Sequence, residues 1–271
     1  MEKILIINRR KYIENLSDID GIYIGNDFCE RALNETVIID LFRYYAGKTK
    51  TALLLPFLTK FGINKSEKIL KEISSLKFEK FEIVFNDWGT FYYLRKNYPE
   101  IKLVLGRLLT KQKKDPRLDK ILKNEQEPFK LLKFKNKMNM VYTKKLPSTL
   151  PELFNINILQ SDELKIFLIK NNVYRIELDN LVWEMKPSST KKVKVSLYYP
   201  YILLTLTRYC GALNSEFERV CNKNCNKKTK FLKSEDVFFV KGNALYYKNA
   251  VMPEIKSLEK NNIDRIVYQD F

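Results

Sequence analysis

The amino-acid sequence predicts an α/β protein built as a (β/α) TIM-like barrel, with a basic insertion and a small C-terminal β appendage. Short apolar runs rich in β-branched and aromatic residues recur along the 271 residues, and helix-like segments separate several of them. Their number favours a barrel over a small open sheet. A hydrophobic content of 45% is enough for one large core. We therefore expect a single domain over residues 1–271.

The alternation of strand and helix patterns is clearest from Gly21 to Leu109. Apolar residues at helical spacing predict helices over Asn34–Ala46, Ser66–Leu76 and Asp87–Asn97, with Ser66 and Asp87 as N-caps. The predicted strands, in chain order, are Lys3–Ile7, Gly21–Ile24, Thr51–Leu55, Phe81–Phe85, Ile101–Leu105, Phe154–Leu159, Tyr174–Leu178, Val193–Tyr199, Asp236–Val240, Ala244–Tyr247 and Arg265–Tyr268.

Two segments depart from this alternation. Residues 111–145 carry 12 basic and four acidic residues and show no strand pattern, so we expect either a functional insertion or a solvated helix pair. Residues 236–271 are rich in strand patterns, with a hairpin turn at Gly242-Asn243. We interpret this second segment as a β appendage that follows the barrel.

The net charge of +17 is dominated by lysine, with 38 Lys against 11 Arg. A surface that reads RNA is usually richer in arginine, whose planar fork matches phosphate groups. The charge is therefore explained either by RNA contact or by a genome that favours lysine codons.

The chain contains four cysteines and no histidine. This composition excludes Ser-His-Asp triads, Cys-His dyads and any metal site that needs imidazole. No segment has the length and apolar character of a membrane span or the pattern of a signal peptide. We expect a cytoplasmic protein whose cysteines are metal ligands or free thiols rather than disulfides.

All four cysteines are expected at the same end of the barrel. Cys29 follows a predicted strand by a short turn, and Cys210, Cys221 and Cys225 form a C-x10-C-x3-C pattern after another strand. Loops that follow parallel strands open on one rim, so the four thiols could meet there. They suit an iron–sulfur cluster or a zinc ion, and the simplest alternative is buried reduced thiols. The absence of C-x2-C knuckles favours the cluster.

Four further segments have a recognisable pattern: Gly21–Cys29, Val84–Gly89, Leu103–Leu109 and Thr207–Cys210. These segments resemble the peptidase U32 family, and the cysteine layout is most similar to that of its UbiV-like [4Fe-4S] proteins of oxygen-independent hydroxylation. The resemblance implies that Cys29, Cys210, Cys221 and Cys225 bind one [4Fe-4S] cluster. It also implies a second U32-type subunit as partner and a small dicarboxylate as ligand.

Four residues are candidates for ligand binding: Asn86, Asp87, Arg107 and Arg208. The first three follow predicted barrel strands, where such folds place ligand contacts, and Arg107 could hold a carboxylate by two hydrogen bonds. For Asp87 the alternative is a cap on the following helix.

The expected function is oxygen-independent hydroxylation, as the enzyme or as its cluster-bearing partner. The alternative is an RNA-binding or RNA-modification protein that uses Lys111–Lys145 and Lys223–Lys233. A U32-type peptidase is a weaker alternative, because no nucleophile–base pair with histidine is available.

Overall fold

The structure is a computed structural model, and only part of the backbone between residues 117 and 236 is described. The side chains of residues 131–133, 139–141, 209, 215–216 and 230–237 are not described. Described residues are 1–76, 81–116, 131–133, 139–141, 156–182, 192–207, 209–210, 215–216, 221, 230–233 and 237–270.

Eight parallel strands close into a barrel, which confirms the predicted fold class. All eight coincide with predicted strands. In their order around the barrel, the strands are β1 Glu2–Ile7, β2 Gly21–Gly25, β3 Lys50–Leu54, β4 Glu82–Phe85, β5 Lys102–Leu105, β8 Val173–Asp179, β9 Lys194–Tyr199 and β16 Ile263–Tyr268. The last strand, β16, pairs with β1 and closes the barrel.

Helices cover the outside of the barrel and bury their apolar faces against it. Ile38, Leu41 and Phe42 of the first helix and Ile69 and Ile73 of the second lie in the main core with the outward-facing strand residues. This is the layering that a barrel needs, because every strand is covered by a helix or a loop. The helices are α1 Glu35–Tyr45, α2 Lys60–Ser75, α3 Trp88–Asn97, α4 Asp162–Lys170 and α5 Ile255–Lys260.

The caps of these helices agree with the sequence at one of two predicted positions. Asp87 is the N-cap of α3 and accepts a hydrogen bond from the backbone N–H of Thr90 at 2.7 Å. The Ser66 prediction is wrong, because α2 begins six residues earlier, at Lys60. Ser66 is buried inside the helix, where its hydroxyl donates to the carbonyl of Ile63.

Charged residues fill the amino-terminal end of the barrel interior. Arg265 donates to Glu2 Oε2 at 2.6 Å, to Glu82 Oε2 at 2.7 Å and to the hydroxyl of Tyr23 at 2.9 Å. Burial raises the pKa of Glu2, but hydrogen bonds from Lys50 and Arg265 outweigh it and lower that pKa to about 2. This end of the barrel is closed by paired charges rather than by an apolar plug.

A four-stranded antiparallel sheet lies outside the barrel order, and it corrects part of the predicted C-terminal appendage. The hairpin at Gly242-Asn243 belongs to this sheet, as predicted. The last strand, Ile263–Tyr268, instead completes the barrel, so residues 236–271 are not an appendage throughout. The sheet runs in the order β10 Tyr201–Leu206, β15 Ala244–Lys248, β14 Val237–Lys241 and β13 Lys230–Lys233.

Three other sequence predictions can be compared only in part. Residues 158–160 form a 3-10 helix, so the described part of the predicted strand Phe154–Leu159 is wrong. Most of the basic segments 111–145 and 223–233 lies outside the described residues. Within residues 111–145, β6 (Leu131–Lys133) and β7 (Asn139–Val141) form an antiparallel pair, so the expected absence of strands is wrong for these residues, as is the alternative of a helix pair there. Across the described part of the chain, no helix has the length and apolar character required to cross a membrane.

Candidate functional site

The loop that carries Cys29 is held in place by its neighbours on both sides. The side chain of Asn26 accepts hydrogen bonds from the backbone N–H groups of Phe28 and Cys29, at 3.1 and 2.8 Å. The carboxylate of Glu30 accepts from the backbone N–H and the hydroxyl of Thr59, at 2.7 and 2.9 Å. These bonds fix Cys29 between the end of β2 and the start of α2.

Arg107 lies at the carboxyl-terminal mouth of the barrel and uses all five of its N–H groups inside the protein. Its Nε and Nη2 donate to Oδ2 of Asp27, at 2.8 and 2.5 Å. Nη1 donates to Oδ1 of Asp179 and to the carbonyl of Tyr201, at 2.9 and 2.8 Å. Nη2 also donates to Oε1 of Gln269 at 2.8 Å. Burial lowers the pKa of Arg107, but Asp27 and Asp179 outweigh it and raise that pKa.

The same network holds the strand that leads to Cys210. Asp179 Oδ1 accepts from the backbone N–H of Leu203 at 2.9 Å, and Arg107 contacts the carbonyl of Tyr201. Both positions belong to β10, which is followed by β11 (Tyr209–Cys210). Arg107 therefore connects the Cys29 loop, through Asp27, to the Cys210 segment, through β10.

Lys114 completes the charge balance of this network. Its Nζ lies 2.5 Å from Oδ2 of Asp179 and donates to the carbonyl of Arg107 at 2.9 Å. Burial lowers the pKa of Lys114. The network thus holds two cations, Arg107 and Lys114, against two carboxylates, Asp27 and Asp179, all inside the protein.

Three of the four predicted cysteine ligands share one neighbourhood. Cys29 and Cys210 are buried and Cys221 is half-buried, and none of the three forms a disulfide. Burial raises the pKa of the Cys29 thiol most strongly, and the nearby thiols of Cys221 and Cys210 raise it further. Hydrogen bonds from the backbone N–H groups of Ala32 and Arg31 act in the opposite direction. Cys225 lies outside the described residues.

Two backbone N–H groups, those of Ala32 and Arg31, are directed at the sulfur of Cys29. Such groups are a feature that tunes iron–sulfur sites. Within the described parts of the chain, no three cysteine or carboxylate side chains converge as a single metal ion requires.

The structure places the predicted ligand-binding residues in supporting positions. Asn86 is buried and crosslinks two loops: its Nδ2 donates to the carbonyl of Leu55, and its Oδ1 accepts from the N–H of Leu108. Asp87 caps α3 and also accepts from the N–H of Leu58 at 3.1 Å. Arg107 has every N–H engaged, so in this arrangement it positions other residues rather than holding an anion. Arg208 lies outside the described residues.

A cavity of about 740 Å³ opens beside Cys29 at the same mouth of the barrel. This volume lies within the range of small-molecule sites. Of the predicted residues, Asn86 lines it. Phe28, Leu108 and Leu206 belong both to its wall and to the apolar cluster that contains Cys29. A molecule in this cavity would therefore lie next to the cysteine neighbourhood.

Glu177 is a second unusual group, deeper in the barrel. It is fully buried and accepts a hydrogen bond from the hydroxyl of Tyr198 at 2.6 Å. Burial raises the pKa of Glu177 to about 7, although bonds from Tyr198 and Tyr23 oppose this. The ring of Tyr198 also lies 4.1 Å from the guanidinium carbon of Arg107, so Glu177 is adjacent to the network at the mouth.

Sequence reasoning missed the partners that engage Arg107. Asp27 and Gln269 lie 80 and 162 residues from Arg107 in the chain, so no local pattern pairs them with it. Lys114 is only seven residues from Arg107, but it lies within the basic segment and has no pattern of its own. One indirect signal exists for Asp27: a carboxylate two residues before a cysteine, at the end of a barrel strand, lies where the barrel mouth must close.

Comparison of the chain with protein-family models, with curated proteins and with solved structures found no match. The class that the fold defines is thus a closed parallel (β/α) barrel with a group of thiols and a cavity at its carboxyl-terminal mouth. The resemblance to the peptidase U32 family stays a prediction from the sequence.

Proposed function

We propose that this protein is a U32-type iron–sulfur protein that binds one [4Fe-4S] cluster through Cys29, Cys210, Cys221 and Cys225. It would act in an oxygen-independent hydroxylation, either as the enzyme or as the cluster-bearing partner of a second subunit. The observation that supports this most is that Cys210 and Cys221, far from Cys29 in the chain, lie close enough to Cys29 to raise the pKa of its thiol.

When bound, such a cluster would supply electron transfer or activation of an oxygen donor. The protein's own residues would hold the ligands and the substrate. Asn26 and Glu30 fix the Cys29 loop, and Arg107 fixes this loop relative to β10. The buried position of Cys29 would limit the access of water to its thiolate.

The first test is the metal content of protein purified without oxygen. We expect about four irons and four acid-labile sulfides per chain, the stoichiometry of one cubane cluster. Each single Cys→Ala change, Cys225→Ala included, should remove most of that iron. Since all four cysteines are predicted ligands, the matched control is Ser66→Ala, at a buried position inside α2. Stoichiometric zinc, or iron that is indifferent to the four changes, would reject the proposal.

A further inference from the structure

We propose that the cavity at the barrel mouth binds an uncharged, largely apolar molecule that donates a hydrogen bond to Asn243. This inference rests on the proposed function in one respect: the ligand would be the substrate of the reaction next to the cluster. Its chemistry is argued from the cavity wall alone.

Apolar side chains make up half of the wall. They come from four separate parts of the mouth, and two of the aromatic rings are about half exposed, Phe57 at 55% and Phe61 at 52%. Exposed aromatic rings at the edge of a concave site are surface that a ligand would cover. The principal apolar members are Phe28, Phe57, Phe61, Leu108, Leu204 and Leu206.

The charged groups of the wall do not favour an anion. Among the described residues, the wall has two charged side chains, Glu30 and Arg31, and they have opposite signs. Glu30 is bound to Thr59, and Arg31 has interactions within the protein. The nearby Arg107 has all its donors engaged. Among the described residues of the wall, a dicarboxylate would lose its hydration without gaining a free cation, so this part of the wall disfavours the small dicarboxylate that the family resemblance implies.

One polar atom of the wall points to a specific ligand group. Asn243 is 9% exposed, and its Nδ2 donates to the carbonyl of Thr207 at 3.1 Å. Its Oδ1 is buried and finds no hydrogen-bond partner among the described residues. A buried acceptor without a donor is unfavourable, and a hydroxyl or N–H group of the ligand would satisfy it.

The test compares three related probes by equilibrium dialysis against the anaerobically purified protein. N-phenyl-1-naphthylamine is uncharged and carries one N–H. Its N-methyl derivative lacks that donor, and 8-anilinonaphthalene-1-sulfonate adds a negative charge. We expect saturable binding of the first probe, with the N-methyl derivative about fivefold weaker because Asn243 stays unpaired. The sulfonate should bind more weakly than the first probe by about tenfold or more, because its charge finds no partner.

A variant pair ties the binding to this cavity. Leu204→Asp places a charge in the wall and should weaken binding of the uncharged probe about tenfold. Ile166→Asp, at a 53% exposed position on the outside of the barrel, is the matched control and should bind the probe like the parent protein. Thermal unfolding of both variants shows whether they are folded.

The readout separates this inference from the proposed function. Equal or tighter binding of the sulfonate, or no effect of Leu204→Asp in a folded protein, would overturn the cavity inference while the iron content stayed unchanged. If the iron analysis rejected the cluster but the three probes bound with the expected order of affinities, the cavity inference would still stand.

Discussion

Arg107 donates two hydrogen bonds to a single oxygen of Asp27, from Nε at 2.8 Å and from Nη2 at 2.5 Å. Asp27 is two residues before Cys29, and the remaining N–H groups of Arg107 reach Asp179, Gln269 and the carbonyl of Tyr201 in β10. The sequence predicts that Arg107 binds a ligand. The structure gives Arg107 a different role. It holds two cysteine-bearing segments at a constant separation, which a cluster bound by both would require.

Arg107→Lys tests this task. Lysine keeps the charge, but one ammonium cannot replace a planar fork that contacts four groups at once. We expect the free energy of unfolding to fall by about 2–4 kcal/mol, and the iron content per folded chain to fall by roughly half or more. Chemical denaturation and iron analysis measure the two effects.

The matched control is Arg265→Lys, at the other end of the barrel. Arg265 is likewise committed to two carboxylates, which are partly buried, and none of its described hydrogen bonds reaches the Cys29 loop or β10. The Arg265→Lys variant should lose a similar amount of stability and keep its iron. Equal iron loss in both variants would show that instability, rather than the position of Arg107, governs cluster content.

Gly106→Ala tests the support that Asn86 provides. A Cβ at this position would lie 2.2 Å from Oδ1 of Asn86, so the amide would have to leave its bonds to Leu55 and Leu108. We expect a loss of about 1–3 kcal/mol of stability. Gly89→Ala is the comparison, because its Cβ meets only Oδ1 of Asp87 at 3.2 Å and lies in a helix. If urea denaturation gave the two variants the same stability, the close approach would be irrelevant.

The Asp87→Ala variant tests whether Asp87 serves as a helix cap or as a ligand contact. Asp87 bonds the N–H groups of Thr90 and Leu58. Its removal should cost about 1–2 kcal/mol, the usual value of an N-cap, and leave iron content and probe binding unchanged. Asn34→Ala removes the cap of α1 and serves as the reference. A loss of probe binding in Asp87→Ala alone would restore the ligand interpretation.

Glu177 makes stability depend on pH. Its pKa is raised by burial from 4.5 to about 7, so between these pH values the unfolded chain binds fewer protons than the folded chain. The contribution of Glu177 to the free energy of unfolding is therefore fully present below about pH 4.5 and decreases as the pH rises towards 7. Glu177→Gln should remove this decrease and gain about 1–3 kcal/mol above pH 7.

The measurement is thermal unfolding of parent and variant from pH 5 to pH 8. Glu14→Gln, at an exposed position, is the control and should follow the parent curve. A difference between Glu177→Gln and the parent that is constant across this range would contradict the assigned pKa.

The barrel strands could be predicted because strands covered on both faces are nearly continuous apolar runs, as in Leu103–Leu105 and Ile83–Phe85. The shared neighbourhood of Cys29 and Cys210 followed from the common exit face of parallel strands. The last strand was assigned to an appendage because it follows a hairpin in sequence, and nothing local shows that it pairs with β1.

The task of Arg107 could not be predicted for a related reason. Its partners Asp27, Asp179 and Gln269 are far apart in the chain, and only barrel closure brings them together. A lone arginine after a strand has the same sequence pattern whether it binds an anion or a buried aspartate. The same holds for Asn243, whose position at the cavity depends on how the hairpin packs on β10.

The central claim is that these cysteines hold a four-iron cluster, and a Mössbauer spectrum of the anaerobic protein labelled with 57Fe tests it most directly. The account predicts a single [4Fe-4S] signal in which every iron has sulfur ligands, lost on Cys29→Ala. A spectrum of mononuclear iron, or a colourless protein with one zinc ion per chain, would contradict it.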